Sequence, residues 1–256
     1  MFKIKTLLTP LLMLAGLSLI AQSVLAAPSL NQAAYKPGTT VYEFGYNSIP
    51  NIKITGAPAD TNWSRSAMLH DGTTYRLYFF KGSSKDTLYQ FGFNQSTLAY
   101  EYGFQSIPVL RITGAPSDVD ASTFAMLHDG KDYRLYMRKL GNPSTLYQFA
   151  FNRASNNYEY GYNSIKELKV TGMPSDAGWD RWAMLHDGSY YRFYVMKSCG
   201  CDMFYQAAFN PATNHYEYGY QSLPQLTLEK TPSNSNTNDF AMLHDKSAYR
   251  FYFLTK

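Results

Sequence analysis

The sequence predicts an all-β fold, a four-bladed β-propeller, and three observations lead there. The stretch Ala-Met-Leu-His-Asp occurs four times, at positions 67, 125, 183 and 241, so the copies start 58 residues apart. A Tyr-Arg-x-Tyr follows each at a fixed distance (Tyr75 to Tyr78, Tyr133 to Tyr136, Tyr191 to Tyr194, Tyr249 to Tyr252). Aromatic residues reach 16% of the chain, equal to the charged fraction, a composition that favours strands, and past the first 26 residues no segment carries a helical period. Self-similarity at a fixed period marks a repeat architecture, and four short strands per repeat with four repeats describe a four-bladed ring.

One copy, taken in order, gives the elements. Thr123 to Asp129 is compact and apolar, and Asp129-Gly130 then signals a tight hairpin turn. Tyr133 to Lys139 reads as the second strand, Gly141-Asn142-Pro143 as a loop, and Thr145 to Phe151 as the third strand. Asn152 to Asn157 turns the chain into a fourth strand, Tyr158 to Tyr162. A connector from Ile165 to Pro174 leads to the next copy.

The last copy ends after two strands. Its missing pair is expected from the front of the chain, where Asn31-Gln32-Ala33-Ala34-Tyr35 and Val41-Tyr42-Glu43-Phe44-Gly45 match Tyr205-Gln206-Ala207-Ala208-Phe209 and His215-Tyr216-Glu217-Tyr218-Gly219. The two termini would then share one blade and leave no open edge. Residue size fits as well. Ala-Met-Leu suits the strand nearest the axis, and the Tyr, Phe and Trp of the other strands fill the gap that widens outward.

Residues 1–26 are expected to be a secretory signal peptide: Lys3 and Lys5 precede an apolar run from Leu7 to Ile20, and Val24-Leu25-Ala26 offers small residues for cleavage. The run is short for a membrane span and is broken by Pro10 and Gly16. Residues 27–256 form the single propeller domain, exported to the periplasm or the outside and monomeric. Without the two leader lysines the net charge falls from +4 to +2, which gives no electrostatic footprint for nucleic acid.

The string Tyr78-Phe79-Phe80-Lys81-Gly82, and the connector Tyr102-Gly103-Phe104…Ile107…Gly114-Ala115-Pro116, resemble the hemopexin-like four-bladed propellers across all four repeats. Two features depart from that pattern. Ser66, Phe124, Trp182 and Phe240 stand where the family usually has an aspartate near its channel ions. Both cysteines also sit in one loop instead of joining the first and last blades.

Several residue sets could carry function. His70, His128, His186 and His244 would ring the axis, where imidazoles could hold a metal ion or, as the resemblance implies, haem; equally, each could cap its own hairpin beside Asp71, Asp129, Asp187 or Asp245. Arg76, Arg134, Arg192 and Arg250 are expected to pair with those aspartates and staple blade to blade. Tyr46-Asn47, Phe104-Gln105, Tyr162-Asn163 and Tyr220-Gln221, each followed by serine, offer an aromatic face beside an amide and a hydroxyl, a set suited to a sugar ring. Trp63, Trp179 and Trp182 break the repeat and are expected in the core or at a partner surface. Cys199-Gly200-Cys201 could close a small disulfide, hold a soft metal or pair with another chain.

No G-x-S-x-G, HExxH or Walker pattern occurs, and fourfold sameness fits poorly with catalysis, which needs different residues in different roles. The sequence therefore points to a binding or adhesion module, not an enzyme, with a glycan or protein partner and no required cofactor. A metal or haem carrier using the four histidines is the alternative, and a hydrolase using His-Asp pairs is the third reading.

Overall fold

A computed structural model describes residues 28–255, and the signal peptide expected over residues 1–26 lies outside them. The described residues contain strands and turns and no helix. Three complete four-stranded antiparallel sets follow one another. The first is β4 (Thr61–His70), β5 (Tyr75–Lys81), β6 (Thr87–Asn94) and β7 (Ala99–Tyr102); the second is β9 (Val119–His128), β10 (Tyr133–Lys139), β11 (Asn142–Asn152) and β12 (Asn157–Tyr160). The third is β14 (Ala177–His186), β15 (Tyr191–Lys197), β16 (Met203–Asn210) and β17 (His215–Tyr218). A fourth joins the ends of the chain: β19 (Ser235–His244) and β20 (Tyr249–Thr255) are continued by β1 (Leu30–Tyr35) and β2 (Val41–Phe44). β1 lies against β20 with Ala33 opposite Phe251, in the register that gives Ala207 opposite Phe193 in the third set.

Each set opens on the Ala-Met-Leu-His strand, and these four strands pack on one another. Met68, Met126, Met184 and Met242 meet there with their flanking alanines and leave no water-sized space between them. Alanine allows that approach, and the flexible thioether fills what remains. Toward its start each of these strands bulges, with a register shift against its hairpin partner in all four sets (Met137/Arg138 in the second). The fourth set departs from the repeat here. Asp239 stands where the other copies have Arg65, Thr123 and Arg181, and its carboxylate accepts the Ser66 N–H at 3.1 Å, joining the fourth inner strand to the first.

The segments expected as plain connectors are strands, and this corrects the count of four per repeat. β8 (Val109–Thr113), β13 (Glu167–Thr171) and β18 (Gln225–Glu229) each pair antiparallel with the third strand of the set they leave and parallel with the fourth strand of the next. β3 (Lys53–Thr55) runs parallel to β7 and follows Ile52, which bridges to Leu30. The physical reason is visible in the residues: Glu167-Leu168-Lys169-Val170-Thr171 alternates exposed and buried, the period-two pattern of a half-covered strand. Five strands per repeat thus make a mixed sheet whose outer edges are tied set to set.

The core divides into four clusters, each built from two neighbouring sets. One joins Leu69, Tyr78 and Phe80 to Met126, Leu135 and Phe149; the others repeat it between the second and third, third and fourth, and fourth and first sets. No set has a core of its own, so each must be built against its neighbours. Trp182 belongs to this packing, stacked on Phe193 at 5.6 Å, and Trp63 lies edge-on to Phe79 at 4.8 Å. The break in repetition at these tryptophans is spent inside the wedges.

One hairpin differs from its three equivalents. The residue after the aspartate has φ of 93°, 89° and 92° at Gly72, Gly130 and Gly188, but the fourth copy has Lys246 at 71°. A side chain in this left-handed region costs about 1–2 kcal/mol. The compensation is an exposed bond from Lys246 Nζ to the Gly72 carbonyl at 3.0 Å, and exposed contacts of this kind contribute at most about 1 kcal/mol. Lys246→Gly is therefore expected to stabilise the chain by about 0.5–1 kcal/mol, read as a rise in the denaturant midpoint at constant m.

Candidate functional site: four repeated clefts

The hairpin after each inner strand is built around its aspartate. Asp129 Oδ1 accepts the N–H groups of Lys131 and Asp132 at 3.0 and 2.7 Å, closing the turn, and its Oδ2 accepts Arg134 Nε at 2.7 Å. Asp71, Asp187 and Asp245 repeat this with Arg76, Arg192 and Arg250 at 2.9, 2.5 and 2.8 Å. The ion pair is therefore internal to one hairpin, and the expected arginine staple between sets is corrected. Tyrosine makes that link instead. Tyr133 donates to Asp71 of the preceding set at 3.1 Å, Tyr191 to Asp129 at 3.2 Å, Tyr249 to Asp187 at 3.0 Å, and Tyr75 to Asp245 at 3.4 Å. Every Asp thus receives an arginine from its own turn and a phenol from the next set.

The arginine has a second task. Its Nη1 donates to the main-chain carbonyl of Gln105, Asn163 and Gln221 at 3.0, 2.7 and 2.8 Å, and Arg250 does the same to Asn47. These four amide residues all adopt left-handed backbone, φ between 41° and 44°. The guanidinium is a strut between hairpin and loop, and the amide residue it grips is exposed in all four copies.

Between each pair of neighbouring sets lies a cleft with the same lining. The one between first and second sets measures about 500 Å³ and is walled by Tyr78, Tyr158, Gln105, Ser106, Tyr133 and Phe151. Its equivalents measure about 280 Å³ (second and third), 270 Å³ (third and fourth) and 610 Å³ (fourth and first). On the floor a buried glutamine lies against a buried tyrosine: Gln148 donates to the Tyr136 hydroxyl at 2.5 Å, Gln206 to Tyr194 at 2.6 Å, and Gln32 to Tyr252 at 2.5 Å. Burial pushes these phenols above the ordinary tyrosine range, so they stay neutral. At the rim an aromatic pair recurs: Tyr133–Phe151, Tyr191–Phe209, Tyr75–Phe93 and Tyr35–Tyr249, with centroids near 6 Å and near-perpendicular rings. An exposed Ile49, Ile107, Ile165 or Leu223 completes each mouth.

The sequence-derived sugar set is thus divided. Asn47, Gln105, Asn163 and Gln221 line the four clefts with their serines, whereas Tyr46, Phe104, Tyr162 and Tyr220 line none of them. The aromatics that do line them are both tyrosines of Tyr-Arg-x-Tyr, an aromatic near the end of the third strand and a tyrosine of the fourth. Strict recurrence of Tyr75, Tyr133, Tyr191 and Tyr249 was the available signal, but only the pairing of sets reveals that they face a gap.

The four histidines end the inner strands, half-buried, each ring 4.4–4.6 Å from the tyrosine that begins the next strand (His70–Tyr75, His128–Tyr133, His186–Tyr191, His244–Tyr249). Burial holds all four below the ordinary imidazole range. None of them lines a cleft, and among the described residues no three His, Cys, Asp or Glu side chains gather as metal ligands. Cys199 and Cys201 are joined to each other as a disulfide in the loop between β15 and β16.

No family model and no curated protein matches the chain, so the hemopexin-like resemblance remains one of motifs. Among solved structures it is similar to Hsv2p of Kluyveromyces lactis, at 10% identity and TM-score 0.27, over 66% of this chain and 47% of that one. It is also similar to the fucose-specific lectin from Aleuria aurantia, at 11% identity and TM-score 0.29, over 78% of this chain and 54% of that one. The chain spans about half the length of the solved structures it matches. Likeness of this size fixes neither fold nor ligand.

Acid should unpick the hairpins. Burial works against ionisation of Asp71, Asp129, Asp187 and Asp245, but hydrogen bonds from the turn and the arginine outweigh it and lower all four, Asp245 to about 2. A carboxyl with a depressed folded value contributes stability above the unfolded value, about 4, and loses it as pH falls through the folded one. Thermal melts at pH 5, 3.5 and 2.5 should show Tm dropping steeply below pH 4. Asp129→Asn should start lower at pH 5 and fall less between pH 5 and 2.5.

Proposed function

We propose that the chain is an exported glycan-binding module: a four-bladed β-propeller, closed by its own termini, that takes one saccharide in each of four inter-blade clefts. The pairing of β1 with β20 and the mutual packing of the four inner strands support the closed ring. The observation that carries the functional side is the fourfold recurrence of one cleft whose lining combines an aromatic pair, a solvent-facing amide, a serine and an aliphatic rim.

Those groups suit a sugar. A pyranose presents an apolar C–H face and a ring of hydroxyls, so its site needs an aromatic or aliphatic surface beside donors and acceptors fixed in place. Here the amide's main-chain carbonyl is already held by arginine, which leaves its side chain for a ligand. Four such clefts on one rigid ring would bind a repeating or clustered glycan with an affinity well above that of one site. The module binds and does not turn over its ligand.

The test replaces the four amides together by glycine (Asn47, Gln105, Asn163 and Gln221). Glycine keeps the left-handed backbone and the arginine strut, because that strut grips a main-chain carbonyl. On a glycan array the purified wild type is expected to bind a defined glycan class, and the fourfold variant to lose at least tenfold while melting within a few degrees of the wild type. An empty array for the wild type, with clean capture of an exported protein instead, would overturn the glycan assignment.

A further inference from the structure

The four clefts are not identical in charge. At the first residue of the turn joining third and fourth strands, the second set has Arg153, whereas the corresponding residues are Gln95, Pro211 and Pro37. Arg153 is exposed, lines the cleft between first and second sets, and among the described residues makes no hydrogen bond or ion pair. Its turn is fixed: Asn152 Oδ1 accepts the Ala154 N–H at 3.0 Å, and Asn152 Nδ2 and Ser155 both donate to Glu159 at 3.1 and 2.5 Å. The Glu159 carboxylate is therefore engaged within the turn itself. The other cation of the cleft, Arg76, is neutralised by Asp71.

Two further features single out this cleft. Gly92 stands where the other sets have Ala34, Ala150 and Ala208, and the main chain of Phe104 lies so close that a Cβ there would sit 2.1 Å from its carbonyl oxygen. Ser106 Oγ, buried in the loop beyond, has no hydrogen-bond partner among the described residues, whereas Ser164 and Ser222 donate to the Gln148 and Gln206 carbonyls at 3.4 and 3.3 Å. The cleft between first and second sets thus combines an uncompensated guanidinium, an unused hydroxyl and a glycine-permitted loop position.

Building on the glycan assignment, we infer that the cleft between the first and second sets selects a saccharide bearing a carboxylate, while the other three take neutral sugars. Guanidinium and carboxylate match as planar, two-pronged partners, and at an exposed mouth their attraction is screened by salt. A charge-assisted pair of this kind is expected to raise affinity on the order of tenfold.

The experiment titrates the full chain with a hexuronate-containing trisaccharide and with its carboxyl-reduced neutral counterpart. Wild type should bind the acidic form on the order of tenfold tighter at one of four sites, and the gain should shrink as salt rises from 50 to 500 mM. Arg153→Gln should equalise the two ligands and leave neutral binding at the other sites unchanged. Gln95→Arg, at the matching position of the cleft between fourth and first sets, should raise the acid-selective sites from one to two. Equal binding of both ligands by wild type, or an acid preference surviving in Arg153→Gln, overturns the inference and leaves the glycan assignment standing. Binding of neither ligand, on top of an empty array, removes both.

Discussion

The structure depends on one carboxylate used twice. In each copy the aspartate after the inner strand closes its own turn and grips its own arginine, and it also accepts a phenol from the following set. Remove the first role and the hairpin loses its shape; remove the second and neighbouring sets lose a polar link that recurs in all four places. Because the arginine passes the constraint on to the amide loop, the walls of the clefts are fixed by the same atom that fixes the register between sets. Binding geometry and assembly geometry are one network.

That arrangement explains why the clefts stay open. Farther out, the wedge between sets is filled by tyrosines and phenylalanines. Toward the hairpins the tyrosine hydroxyl is bonded to the aspartate of the preceding set, and the tyrosine lines the cleft. Beneath them the buried Gln–Tyr pairs form the floor.

Much of this was legible beforehand. The strand class, the repeat, the tight Asp-Gly turn and the lending of β1 and β2 to the last copy all follow from residue type and a fixed period. What stayed hidden is whatever depends on two copies at once. Asp129 and Arg134 lie close in sequence and invite pairing, but nothing local says that Tyr191, 62 residues on, completes the site. The connector strands were missed because a five-residue alternation such as Glu167 to Thr171 is short beside the aromatic runs around it. Tyr46 and its equivalents looked like the ligand surface because they adjoin the amides in sequence; in space the turn carries them away from the gap.

The sharing of one sheet between the two ends has a consequence for biogenesis. β1 is among the first described strands to leave the ribosome, yet its partner β20 is among the last, with 220 residues separating Gln32 from the hydroxyl it grips on Tyr252. Until β20 has been made, β1 has β2 on one side and no strand on the other. A chain stopped before β20 would keep that side of β1 as an open sheet edge, the kind of surface on which strands of other chains pair.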